Sequence, residues 1–368
     1  MVQLIDLLKA MINVNASDLH LTVGVPPQLR VNGTLRPVQS PALTNDEIKT
    51  LSYSILNEKQ KAEFEERQEL DLSFGLEDVA RFRVNLFFQR DSVAAAIRRI
   101  PFVVPSFAQL GLPAVVADLA KKPRGLLLVT GPTGSGKSTT LASIVDKINR
   151  ETEGHILTIE DPIEYIHPNK KGIVNQREVG KDTRSFKDAL RYVLRQDPDV
   201  VLIGEMRDLE TIEAAMTLAE TGHLCLATLH TNGAVQTLNR IIDVFPANHQ
   251  ARVRTILSFV LVGVISQNLL PVDEGHGRSL ALEVLVPHSG IRSLIRDDKL
   301  HQIYAAMQMG QSQSGNLTLN QSLMSLVKQG KITADTALVK SLEEEELRNM
   351  LKQSGYVFGQ TDHVKNRG

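Results

Sequence analysis

The stretch LLLVTGPTGSGKSTT, Leu126 to Thr140, decides how the chain is read. Leu126 to Thr130 are apolar or β-branched and suit a buried strand. Directly after them, Gly131, Pro132, Thr133, Gly134, Ser135, Gly136, Lys137 and Ser138 fill the pattern G-x4-G-K-[ST], and a helix-forming stretch follows. Strand, glycine loop and helix in that order make a phosphate cradle, because the loop amides and the helix N-terminus both face an anion. Lys137 can reach β- and γ-phosphates, and the Ser138 hydroxyl can hold Mg²⁺.

Downstream, apolar strand-like runs alternate with helix-like ones. They are Ile156 to Ile159, a helix from Ser185 to Arg195, Val200 to Ile203, a helix from Leu209 to Glu220, and Leu224 to Leu229. This alternation predicts an α/β domain with a parallel sheet. Nucleotide-hydrolysing sites of this kind place an Asp after a second strand to order magnesium. Here Gly204 takes that place and Glu205 follows, in VVLIGEMRD. A neighbouring run, Leu157 to Ile159, leads into Glu160, Asp161 and Glu164 in TIEDPIEY, so the spacing predicts a divided acidic site. His223 and His230 bracket LCLATL. Seven positions on an extended strand span about 23 Å and point the two to opposite faces, so they cannot share one ion within a chain.

Upstream, β-rich runs (Leu19 to Val23, Gln28 to Val31, Leu70 to Phe74, Arg81 to Phe88) surround a helical stretch from Asn45 to Glu66 and predict a small α+β domain. In RFRVNLFFQ, Phe82, Val84, Leu86 and Phe88 alternate with Arg81, Arg83, Asn85 and Gln89, which gives a half-buried strand with one basic face. Leu4, Leu7, Leu8 and Met11 predict an amphipathic N-terminal helix. Pro101, Pro105, Gly111 and Pro113 mark an irregular linker.

Beyond Arg240 the reading is helical. It includes a buried core helix over Leu257 to Ile265, a helix near Gly290 to His301 and another over Leu319 to Lys328. Gln308 to Ser314 reads as a loop, Glu343 to Glu346 as the solvated side of a C-terminal helix, and the last dozen residues as a loose tail. The domains expected are 1–100, a linker at 101–113, an ATPase-type core at 114–335 and a C-terminal helix and tail at 336–368.

Of 368 residues, 41 are Lys or Arg and 42 are Asp or Glu, giving a net charge of −1. That balance, with 4% aromatics and no Trp, leaves little for a salt-dependent nucleic-acid groove or a stacking platform, and no nucleic-acid partner is expected. The single cysteine, Cys225, allows neither a disulfide framework nor a Cys-built zinc module, and implies a reducing compartment. No apolar run approaches the roughly 20 residues of a membrane span.

GPTGSGKSTT, TIEDPIEY, LRQDPDVVLIGEMRD and TGHLCLATLHTN resemble, in order and spacing, the four linked motifs of the type II/IV secretion and pilus ATPases. SDLHLT and RFRVN extend the resemblance to the N-terminal domain. Within that superfamily the chain is most similar to the retraction, PilT-like, branch: it lacks the four-cysteine zinc module common in assembly and secretion members, and GIRSLIRDDKLHQI at Gly290 to Ile303 resembles the branch's AIRNLIRE segment. It departs there at Gly290, Ser293 and Asp297.

The resemblance implies a RecA-like core with a PAS-like N-terminal α+β domain. It implies a cytoplasmic homohexamer that meets the inner membrane peripherally through a pilus platform protein and leaves room for a paralogous ATPase as a further partner. ATP and Mg²⁺ follow from the same resemblance. It assigns Glu205 as the water-positioning glutamate, Glu164 as a second catalytic acid, and Glu164 or Glu205 as magnesium contacts through water. Lys137 is catalytic, and Gly131 to Thr139 together with Arg83, Arg98 and His230 bind ATP. Glu160, Asp161 and His223 support the site or an interface, while Ile291, Arg292, Leu294, Ile295 and Arg296 contact a partner. The alternatives are a non-hydrolysing accessory ring subunit and an assembly or secretion ATPase, which steady-state turnover and the phenotype of cells lacking the protein separate from a retraction motor.

Overall fold

The computed structural model describes residues 3–31, 33–76, 80–100, 103–272, 277–309 and 315–356. Its contacts divide it into two units. The first comprises Met1–Val103 with Glu164–Ile166, and the second Val104–Ile163 with His167–Gly368.

In the first unit, α1 (Leu4–Asn13) leads into β1 (Asp18–Leu21), β2 (Gln28–Val31) and β3 (Thr34–Pro37). Then come α2 (Asn45–Tyr53), α3 (Glu58–Arg67), β4 (Glu69–Leu76), β5 (Ala80–Gln89) and β6 (Ser92–Ile100). The strands form one antiparallel sheet in the order β3-β2-β1-β6-β5-β4. Leu4, Leu7, Leu8 and Met11 of α1 are buried as their spacing predicts, in one core with Ile48, Phe64, Phe82, Val84 and Leu86. The helical stretch expected from Asn45 to Glu66 is two helices. Asn57 and Gln60 form a capping box that starts α3 afresh, with each side chain taking the other's backbone N–H at 2.9 and 3.0 Å. On the face of β5 away from this core, Arg83 lies opposite Arg98, Arg98 opposite Asp18, and Asp18 opposite Arg30.

The second unit opens with α4 (Phe107–Leu110) and α5 (Ala114–Ala120), followed by β7 (Gly125–Thr130), α6 (Lys137–Glu151), β8 (His155–Glu160) and β9 (Ile173–Glu178). After them come α7 (Phe186–Val193), β10 (Val200–Ile203), α8 (Leu209–Glu220) and β11 (Leu224–Leu229). Next are α9 (Ala234–Asp243), α10 (Ala247–Val260), β12 (Leu261–Pro271) and β13 (Arg278–Leu285). α11 (Ser289–Arg296), a 3-10 turn at Leu300–Gln302, α12 (Ile303–Met309), α13 (Leu319–Lys328), α14 (Ala334–Lys340) and α15 (Glu344–Gln353) complete it. The sheet order is β13-β12-β7-β11-β10-β8-β9, with every neighbouring pair parallel except β12–β13.

β7 is buried along all six residues and sits between helical layers. Leu126 and Leu128 pack toward α8 to α11, while Leu127 and Val129 pack against Leu141, Ile144 and Val145 of α6. This doubly covered parallel sheet is the RecA-like arrangement expected, and it gathers the β7, β8, β10 and β11 carboxyl ends on one edge, where α/β sheets bind ligands.

Three local expectations are corrected. Within the irregular linker, Ser106 and Gln109 form a capping box and Gly111 closes the turn in the left-handed region, so four residues become α4. The apolar run Leu257 to Ile265 is not one helix, because α10 ends at Val260 and β12 begins at Leu261. The β-branched Val262, Val264 and Ile265 favour the strand, and Leu285 O would lie 3.1 Å from a Cβ at Gly263. The acidic run is solvated at Glu343 to Glu345, but Glu346 is tied down, accepting from Tyr304 Oη at 2.5 Å and Asn320 Nδ2 at 2.7 Å.

The division expected at 335/336 falls inside α14. α13, α14 and α15 share one core with Leu270 and Ala281 of the sheet. Of the expected loop, Gln308 lies in α12 and residues 310–314 fall outside the described residues, as does the tail from 357. Pro101 and Phe102 of the linker do too. Among the described residues no helix is long and apolar enough to cross a membrane.

Candidate nucleotide site

The loop between β7 and α6 turns on three glycines with φ of 140° (Gly131), 77° (Gly134) and 88° (Gly136), a region side chains rarely enter. At Gly131 the requirement is doubled, since a Cβ there would stand 2.3 Å from Gln267 O. Gly136, the α6 N-cap, offers no side chain, and α6 has no acidic residue in its first turn, so its free N–H groups keep their positive potential for an anion. Pro132, Thr133, Gly134 and Ser138 are exposed along the loop and Thr139 is half-buried.

Lys137 folds back over this loop, with Nζ donating to Gly131 O at 2.9 Å and Pro132 O at 3.1 Å. Burial pushes its pKa down while nearby Glu205 opposes the shift. Gln267 of β12 donates Nε2 to Ser135 O at 2.6 Å and fixes the loop's far side. The buried Ser135 Oγ has no hydrogen-bond partner. A phosphate in the cradle would supply an acceptor for that hydroxyl and for Lys137, so these residues fit a nucleotide.

Glu205 follows β10 and stands between two basic side chains. Arg207 Nη2 lies 2.7 Å from Oε2, and His230 Nε2 lies 3.3 Å from Oε1. Burial alone would raise the Glu205 pKa, but Arg207 and then His230 outweigh it and hold it below the usual carboxylate range. The two strand ends are bound together as well, with Thr228 Oγ1 donating to Gly204 O at 2.5 Å and Met206 N to Thr228 O at 3.0 Å.

Gly204 has a packing reason. A Cβ there would meet Ile159 O at 3.2 Å and Glu160 Cα at 3.3 Å, where the end of β8 crosses. Glu160 accepts from Thr158 Oγ1 at 2.7 Å and Gln176 Nε2 at 3.2 Å, and Asp161 lends negative charge to Arg207. Glu164 falls in the three-residue piece that groups with the first unit.

The two histidines separate as their spacing requires. His230 joins Glu205, while His223 sits at the opposite end of β11. There its Nδ1 lies 3.2 Å from Leu218 O and 3.1 Å from Thr221 Oγ1, closing the end of α8. In the first unit Arg83 is half-buried, and the exposed Arg98 donates Nε to Asp18 Oδ1 at 2.8 Å.

The partner-contact assignment in α11 is corrected for two residues. Ile291 and Ile295 are fully buried in the core. Arg292 turns inward to cap the end of α10, donating to Ser258 O (2.5 Å), Phe259 O (3.1 Å) and Leu261 O (3.0 Å). Leu294 is half-buried and Arg296 exposed. Arg207 and Gln267 escaped the sequence reading. Arg207 stands two residues after Glu205 in GEMRD, a signal that was there to use, whereas nothing local distinguishes Gln267 in a strand from any other polar residue.

Among the described residues no cluster of three or more His, Cys, Asp or Glu could hold a metal. Magnesium in a phosphate loop requires none, since it keeps waters and takes one or two protein oxygens beside the phosphates.

The family model described as "Type II/IV secretion system protein" matches residues 2–354. The "Type IV pilus retractation ATPase PilT" of Pseudomonas aeruginosa is 51% identical over 326 residues, covering 89% of this chain and 94% of that protein. A "Twitching motility protein" of Neisseria gonorrhoeae is 48% identical over 87% of this chain and 86% of its own length. A crystal structure of the pilus retraction motor PilT with bound ADP superposes with a TM-score of 0.90 at 52% identity, covering 95% of this chain and all of that one. With its phosphate loop, its paired strand ends and kinship along nearly its whole length, the chain belongs to the type II/IV secretion system protein family.

Proposed function

We propose that this chain is a motor ATPase that couples ATP hydrolysis to retraction of a type IV pilus. The observation that carries this reading is the ionised Glu205, held between Arg207 and His230 beside a phosphate loop in a chain half identical to a retraction ATPase. The γ-phosphate seats on the loop amides of Gly131 to Thr139, and Lys137 leaves its carbonyl partners to bind it. Glu205 accepts a hydrogen bond from water and orients it at phosphorus in line with the bridging oxygen. The new P–O bond forms as the bond to ADP breaks, and the water's proton passes to Glu205 or to the departing phosphate. A carboxylate with a depressed pKa suits orientation more than strong base catalysis.

Magnesium, when bound, spreads the charge on the phosphate oxygens. Ser138 and the acids near Glu205 are the residues to hold it, directly or through water, with Glu160 and Asp161 supplying the carboxylate that Gly204 lacks. Glu164 is the further acid. Arg83 and Arg98 serve phosphate oxygens from the N-terminal unit. Their support is the shared position across β5 and β6 and the bidentate reach of arginine. Homohexameric assembly, the work passed to an inner-membrane platform protein, and Leu294 and Arg296 as contacts on that side complete the proposal.

Purified protein should hydrolyse ATP, and cells lacking it should carry long fibres they cannot withdraw. Loss of fibres in those cells would instead support an assembly role.

A further inference from the structure

Glu283 on β13 is 4% exposed and has no part in the chemistry above. Its Oε1 accepts from Ala234 N at 2.6 Å. The Leu319 amide also donates to it, and these two bonds oppose a burial that raises its pKa. Ala234 and Leu319 are the first residues of α9 and α13, so one carboxylate holds the starts of two helices that are 85 positions apart. The α9 N-cap is Gly233, which has no side chain to do this work.

Four residues before Ala234 stands His230. Behind the connecting loop lies a buried polar row: Glu283 opposite Ser266, and Ser266 opposite Thr130, the last residue of the strand that feeds the phosphate loop. Thr237 of α9 closes the row, with its hydroxyl 3.5 Å from Thr130 Oγ1 and 2.6 Å from Thr231 Oγ1. Leu342, between α14 and α15, packs on the same loop, 3.3 Å from where a Cβ of Gly233 would be.

We propose that Glu283 is a positioning residue. It pins the first turn of α9, and with it the loop carrying His230, to the central sheet and to the C-terminal helices, so that His230 is held against Glu205. This rests on the reading of His230 as part of the nucleotide site. Displacement of α13 to α15 is then transmitted to that loop through one side chain.

The test is steady-state ATP turnover of the full chain carrying Glu283→Ala, Glu283→Gln, His230→Ala, or Glu283→Ala with His230→Ala. Glu283→Ala should lower kcat about tenfold with KM for ATP within about twofold, because a small misplacement of a site residue slows chemistry more than binding. Glu283→Gln, which keeps one acceptor oxygen, should recover most of kcat. The double variant should be no more than about twofold slower than the slower single variant, since both act through one loop. Parental kcat in Glu283→Ala, or losses that multiply in the double variant, would overturn the proposal. Parental turnover in His230→Ala beside a slowed Glu283→Ala would remove the His230 reading and the proposed route with it. If Glu283→Ala does not fold, Glu283→Asp decides: its oxygens are withdrawn by one methylene, kcat should fall with KM held, and parental kcat would overturn the idea.

Discussion

Glu205 and His230 follow different strands, β10 and β11, yet Oε1 of the first lies 3.3 Å from Nε2 of the second. Arg207, at 2.7 Å, completes a clamp on the carboxylate. Arg207→Ala should free one side of Glu205 and lower kcat about tenfold while leaving KM for ATP within about twofold, the signature of lost orientation. Steady-state kinetics at saturating ATP checks it.

Restoring the usual acid at position 204 should harm the protein. The Cβ of Gly204→Asp would press on Ile159 O and Glu160 Cα, and overpacking of this kind costs about 1–3 kcal/mol. The melting temperature should fall and turnover should drop; a rise in turnover would show that the acidic site is not divided between β8 and β10.

How much of this was legible in the sequence differs by residue. The loop from Gly131 to Ser138 was readable because its chemistry is local: each glycine answers a backbone demand within six residues. The strands β7, β10 and β11 were readable as short apolar runs. β6 was not, because its three consecutive alanines carry little strand preference, and β12 was hidden in a continuous apolar run where helix and strand look alike. Gln267, Arg292 and Glu283 act across 31 to 132 positions of chain, and no periodicity announces such contacts.

Arg292 carries a stability prediction. Three carbonyls at the end of α10 depend on its guanidinium, so Arg292→Ala should cost about 2–3 kcal/mol in chemical denaturation. Arg292→Lys should recover only part, because one ammonium cannot reproduce the planar fork.

His167 predicts how stability responds to acid. Burial, opposed by Asp146 and reinforced by Lys170, pushes its pKa from 6.5 to about 4. Between those values the unfolded chain takes up a proton that the folded one refuses, so acid favours unfolding. Over that window the loss is on the order of 3 kcal/mol, and above about pH 6.5 this residue contributes no slope. His167→Gln should flatten that part of the stability profile, measured by urea denaturation at a series of pH values.

In the proposed cycle, hydrolysis directed by Glu205 drives retraction. Glu205→Ala, assayed as purified protein and in cells, tests it most directly. Turnover should fall at least 100-fold with nucleotide still bound, and the cells should assemble fibres yet fail to withdraw them. Fibres that retract normally, or turnover near the parental rate, would contradict it.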